Sequence, residues 1–272
     1  MKTIKVTSIL SWIIVVLAAA ASVGGLLLPG LYRDNDFVNA VWQGNDLVTL
    51  VLAIPALLVA MHGSRKGNPR ALLIWVGLLD YLLYNYAFYL FAASFNAFFL
   101  LYVALFAISI WALIYAASGL DVKRIAAQFK ETTPRHWIGG FMLFIAAGLT
   151  GIYLMQTFAF IFNGTIPPVM VNTETTTSIV FALDLTLLVP FMVVGAVWLF
   201  QKKPWGYALA GIFLAKGAGY TLVLTVGSLS GYLVGGFAPA INEVPLWATL
   251  FAGCLVFLIL LMRNLKPTAV EA

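Results

Sequence analysis

The sequence predicts an all-α fold: a polytopic membrane helix bundle of eight transmembrane helices, arranged as two parallel four-helix repeats. Three observations carry the prediction. Of the 272 residues, 62% are hydrophobic and 9% charged, where soluble domains carry about 25% charged residues. Eight apolar runs are each long enough for a hydrocarbon core of about 30 Å. Prolines and aromatic residues recur at one offset between the two halves. A soluble domain of this length could not enclose so much apolar surface.

The first span is predicted over Val6–Leu28, after the basic start MKTIK. Small residues around Ala19–Ser22 would also suit a signal peptide, but the apolar run is long for one, so an uncleaved span is the better reading. The polar stretch PGLYRDNDFVNAVWQGND follows as an outer loop, with Trp42 suited to the membrane interface. The second span covers Gly44–Met61 and stops at HGSRKGNPR; the third covers Ala71–Ala93, and the fourth Phe98–Ala117 after a turn at SFNA. The basic loop SGLDVKRIAAQFKETTPRH includes a short surface helix at Ala126–Phe129. Spans five to eight are Trp137–Phe162, Ile179–Phe200, Tyr207–Leu233 and Leu246–Met262, followed by the tail RNLKPTAVEA.

Basic residues orient these spans. With the N-terminus cytoplasmic, the inner segments hold Lys2, Lys5, Arg65, Lys66, Arg70, Lys123, Arg124, Lys130, Arg135, Lys202, Lys203, Arg263 and Lys266. The outer loops hold only Arg33, so both termini are expected on the cytoplasmic side. The formal charge of +5 is thereby spread over short loops, which argues against nucleic acid as a partner and for the lipid bilayer. Cys254 has no second cysteine to pair with.

An offset of 135 residues lays Pro55 on Pro190 and Pro69 on Pro204. One residue more lays Leu78 on Leu214, Asp80 on Lys216, Tyr84 on Tyr220, Ser94 on Ser230, and Trp111-Ala112 on Trp247-Ala248. The expected organisation is a first repeat at 1–118, a cytoplasmic linker at 119–136 and a second repeat at 137–272. Four helices in each half give both halves one orientation, related by an axis along the membrane normal.

Asp80 and Lys216 are the candidates for chemistry. Each lies about 15 Å along its helix, near the midplane of a core about 30 Å thick. A charge there costs about 2.5–3.5 kcal/mol on insertion scales, so it needs a partner, a wet cavity or a role. An Asp80–Lys216 ion pair between the repeats is expected, either serving a ligand or only fixing helix packing. Tyr84 and Tyr220 lie one turn further on the same faces. Asn85, Asp184 near the outer end of the sixth span, and Asp46 near the outer end of the second complete the candidates. With Tyr81, Thr221, Thr225 and Ser228, and with Asp34, Asp36, Glu174 and Glu243 in outer loops, they outline an outward vestibule with Lys216 near its floor. Asp184 is a competing partner for Lys216.

No metal site is expected, because His62 and His136 lie in basic loops without carboxylate or cysteine neighbours. No nucleophile–base set or glycine-rich phosphate loop is present. A retinal Schiff base on Lys216 fits poorly, since the third span lacks an arginine-plus-carboxylate pattern. The run DYLLYNYAFY would suit stacking on a quinone or haem, although aromatic residues in helices more often pack. The residues name no cofactor. Asn163-Gly-Thr165 has the form of a glycosylation acceptor.

GNDLVTLVLAIP, LLYNYAFYLFAASFNAFFLLYVALFAISIWAL and ALDLTLLVPFMVVGAVWLFQKKPWGYALAGIFLAKG together resemble a group of bacterial multi-pass membrane proteins of about eight helices. The Pro-Trp-Gly-Tyr turn followed by lysine is the most specific part of that resemblance. It implies a bacterial inner-membrane location and transfers no activity. The leading functional expectation is binding or transport of a small molecule or ion through a polar pocket between the repeats. The alternatives are an intramembrane enzyme acting on a lipid or quinone-like substrate, and a structural or assembly protein.

Overall fold

The computed structural model describes residues 2–266, and among these the chain is helical throughout, joined by turns. In chain order the helices are α1 (Lys2–Leu27), α2 (Asp36–Arg65), α3 (Pro69–Phe91), α4 (Phe99–Ser118), α5 (Val122–Ala127), α6 (Arg135–Asn163), α7 (Pro168–Thr173), α8 (Ile179–Phe200), α9 (Pro204–Leu233) and α10 (Val244–Arg263). A 3₁₀ turn at Ala238–Asn242 leads into α10. Eight of these helices are long and apolar enough to cross a membrane; α5 and α7 are short connectors. The protein is an all-α polytopic bundle and an integral membrane protein. Met1 and the tail from Pro267 onward, expected on the cytoplasmic side, lie outside the described residues.

Local signals set the helix ends. Gly67 takes a left-handed φ of 79° after α2, and Asn68 then caps α3 by accepting from the backbone N–H groups of Arg70 and Ala71 at 2.9 and 3.2 Å. Pro69 is the first residue of α3, where its missing N–H costs nothing. Asn35 caps α2 by accepting from Val38 N–H at 2.9 Å. That cap starts α2 eight residues earlier than the expected Gly44, which corrects the reading of this stretch as loop. Its first turns bury Val38, Ala40 and Trp42 along with Asn45 and Asp46, so the polar residues here face inward. The short helix after α4 is likewise displaced, from Ala126–Phe129 to Val122–Ala127.

Two spans contain a π turn: Thr49–Ala53 in α2 and Asp184–Leu188 in α8. Proline is the cause in both. Pro55 and Pro190 cannot donate to the carbonyl four residues earlier. The ladder widens instead, with Ile54 N–H reaching Thr49 O and Val189 N–H reaching Asp184 O, five residues back.

The helices form two compact units, Met1–Asp121 with Gly211–Ala272, and Val122–Ala210. In the first, α1 packs on α4, α4 on α3, and α3 on the second half of α2. α3 is the enclosed element, with 78% of its apolar window buried. Glycines let the later part of α9 approach closely. A Cβ on Gly77 of α3 would lie 2.6 Å from Ala215 Cβ, and one on Gly44 of α2 would lie 3.1 Å from Gly227 Cα. At one end of this unit Arg65 donates to Ser8 Oγ at 2.5 Å, and Arg70 donates to the Met262 and Leu265 carbonyls at 2.9 and 2.7 Å. A cation there satisfies the free carbonyls that end α10. At the opposite end Asp34 accepts from Ser94 N–H, Ser94 Oγ–H and Trp42 Nε1–H at 3.0, 2.8 and 3.0 Å. Asp34 is therefore structural, and Trp42 is buried.

In the second unit α6 packs on α8. Gly195 sits 3.2 Å from Met142 Cε by its would-be Cβ, which shows how closely the two approach. Tyr207 stacks on Phe129 with ring centroids 4.7 Å apart and accepts from Arg135 at 3.3 Å.

Candidate functional site

Inside the first unit, α3 and α9 bring Asp80 and Lys216 together. Lys216 Nζ lies 3.4 Å from Asp80 Oδ2. The lysine side chain is 5% exposed and the carboxylate side chain 14%, so the acid is the more accessible partner. The same ammonium sits 4.1 Å from the centre of the Tyr84 ring and 6.0 Å from that of Phe213, a cation–π arrangement. Tyr220 meets Tyr84 edge-on at 4.9 Å and 88°, and lies over Phe88 at 5.9 Å and 22°. Chain spacing explains the grouping. Asp80, Tyr84 and Phe88 repeat every four residues along α3, as do Lys216 and Tyr220 along α9, so both rows stand on the facing stripes. Gly77 and Gly219 thin the contact below and beside them: a Cβ on Gly219 would lie 3.3 Å from the Tyr81 ring.

Asn85 is buried one turn away and belongs to a polar ladder between α2 and α3. Asn45 Nδ2–H donates to Asn85 Oδ1 at 2.7 Å, Thr49 donates to Asn45 Oδ1 at 3.3 Å, and the Thr49 and Tyr81 hydroxyls are 3.0 Å apart. Asn45 and Thr49 were not singled out from sequence. The available signal was two four-residue spacings, Asn45/Thr49 and Tyr81/Asn85, which mark two polar faces able to meet.

Asp46 was expected at an outer helix end, on a vestibule wall. It is instead ten residues inside α2 and 2% exposed. Tyr32 donates to its Oδ2 in a short hydrogen bond, and Tyr89 donates to its Oδ1 at 3.0 Å. Tyr32, Trp42 and Tyr89 surround it, with Trp42 and Tyr89 ring centres 4.7 Å apart and Tyr32 6.4 and 6.3 Å from them. Burial, followed by the Asp46 carboxylate, holds the Tyr32 phenol well above its ordinary pKa, so it remains a donor. Tyr32 and Tyr89 were also missed in the sequence, because neither lies at a diagnostic spacing from Asp46.

Asp184 belongs to the second unit, where it opens the π turn of α8. It is 4% exposed and accepts from the Tyr153 hydroxyl of α6 at 2.6 Å; Tyr153 in turn stacks on Phe181 at 4.3 Å. The threonines expected to line a vestibule from α9 are spent on their own helix: Thr221 donates to Gly217 O at 2.6 Å and Thr225 to Thr221 O at 2.7 Å. Ser228 donates to Glu243 at 3.3 Å. Among the described residues no group of three or more histidine, cysteine, aspartate or glutamate side chains is placed to hold a metal ion. No family model, curated protein or solved structure matches the chain.

Proposed function

We propose that the protein binds or transports a small molecule or ion at the Asp80–Lys216 pair, where α3 meets α9. The pair itself carries this reading: two opposite charges deep in apolar spans, 3.4 Å apart, with the carboxylate still reachable. A charged solute arriving there meets Asp80 first and competes with Lys216 for it, while Tyr84 retains the ammonium face-on.

The test is flux in proteoliposomes, with imposed gradients of protons, sodium, potassium and chloride. Wild-type protein is expected to dissipate at least one of them, and the Asp80→Asn/Lys216→Met double variant to lose that flux while eluting as a folded protein. Equal flux in a folded double variant assigns the pair to helix packing alone, the scaffold reading.

The two-repeat organisation is part of the same proposal. It is supported by π turns at Thr49–Ala53 and Asp184–Leu188, by helix ends at Arg65 and Phe200, and by helix starts at Pro69 and Pro204, all at the offset read from the prolines. A bacterial inner-membrane location with both termini cytoplasmic completes it. Arg65, Arg70 and Arg263 sit at the loop ends that this orientation places inside. Cysteine labelling checks it at Thr132 and Thr176, which are exposed, whereas Thr133 is buried. A membrane-impermeant maleimide applied to intact cells is expected to modify Thr176→Cys and to spare Thr132→Cys. The reverse pattern inverts the topology.

A further inference from the structure

The geometry points to a second site, distinct from the Asp80–Lys216 pair: a cleft at the end of α1 that takes an ammonium group, with Asp46 as its counter-charge. A cleft of about 400 Å³ opens there, lined by the chain from Gly25 to Tyr32 and by Asn39 and Gln43. That volume suits a small ligand. Its wall offers acceptors. The last carbonyls of α1 face this region with the negative end of the helix dipole. Asn39 Oδ1 is buried and has no hydrogen-bond partner among the described residues, while the amide Nδ2–H donates to Asp34 O at 2.9 Å. An acceptor left empty in this way calls for a donor.

Asp46 stands directly behind this wall. A Cβ on Gly25 would collide with Asp46 Oδ2 and the Tyr32 hydroxyl, so the carboxylate rests against a glycine that lines the cleft. The hydroxyls of Tyr32 and Tyr89 donate to Asp46, and among the described residues no lysine or arginine donates to it. Tyr32 separates the carboxylate from the cleft and sits on the irregular segment between α1 and α2, the part of the wall not fixed in a helix. An ammonium that displaces the Tyr32 hydroxyl meets a carboxylate set among the clustered rings of Tyr32, Trp42 and Tyr89. That combination of acid and aromatic rings recognises organic cations. The ammonium belongs either to a free amine or to a phosphatidylethanolamine headgroup at the membrane surface.

The experiment measures binding of choline and methylammonium to purified full-length protein by calorimetry, with 3,3-dimethylbutan-1-ol as the uncharged counterpart of choline. In parallel, thermal stability is compared in nanodiscs of phosphatidylethanolamine and of phosphatidylglycerol. Wild type is expected to bind choline or methylammonium saturably, or to gain stability selectively in phosphatidylethanolamine, and to ignore the neutral analogue. The first result identifies a free amine and the second a lipid headgroup. Asp46→Asn is expected to weaken binding about tenfold or more, the loss of one charge-assisted contact. Asn39→Leu, on the cleft wall, weakens it as well and carries the test if Asp46→Asn does not fold. Gly140→Ala in α6, where nothing lies within 4 Å of the would-be Cβ, leaves it unchanged. Equal binding by a folded Asn39→Leu or Asp46→Asn protein overturns the inference. So does binding of the neutral analogue with equal affinity, or the absence of both amine binding and lipid selectivity.

Discussion

Lys216→Met is expected to destabilise the folded protein by about 3–5 kcal/mol, because it strands Asp80 as an uncompensated charge inside the bundle. Asp80→Asn should cost a similar amount from the other side, leaving an ammonium that only the Tyr84 and Phe213 rings face among the described residues. Combining the two removes both charges, and most of the loss should return. The coupling, obtained from a double-mutant cycle of unfolding in mixed micelles, is the quantity to measure. Additive losses would show that the 3.4 Å approach carries no energy of its own. The exposure of the two groups bears on the size of the effect. Asp80 keeps 14% of its side-chain surface, so water can soften its isolation, while Lys216 at 5% has less relief. The lysine-retaining single variant should therefore be the less stable of the two.

Gly77→Ala is expected to lower stability by about 1–3 kcal/mol through overpacking. The sign is informative, because alanine is otherwise the better helix former by about 0.8–1.0 kcal/mol. The new methyl group would lie 2.6 Å from both Ala215 Cβ and the Ile212 carbonyl, and the Ile212 Cα is 3.3 Å away. Two of these three atoms are backbone, so no rotamer change makes room and α3 must move from α9. Asp80 lies one turn above Gly77 on α3, and Lys216 directly follows Ala215 on α9. The Asp80–Lys216 coupling should therefore shrink in the same variant. Gly140→Ala in α6 is the control, since nothing lies within 4 Å of its would-be Cβ. It is expected to be neutral or slightly stabilising.

The chain by itself determined the spans, their number and the two residues most worth pairing. Apolar length is a local property, and a lone lysine within a span is conspicuous because the bilayer makes charge costly. Register did the rest for Asp80, Tyr84, Lys216 and Tyr220, whose four-residue spacing holds whatever the helices pack against. The tertiary structure decided where polar groups point. Asp34 reads as a solvated loop acid until Ser94 and Trp42 are seen to donate to it. Asp46 reads as the rim of a vestibule until a cap at Asn35 turns that stretch into helix and buries it. Its partners are a loop tyrosine and one from α3, far apart along the chain, and no pattern in the sequence links them to it. Hydrophobic length is written residue by residue, whereas a hydrogen-bond partner across helices depends on rotation and close approach, which glycines such as Gly25 and Gly77 fix only once the helices have met.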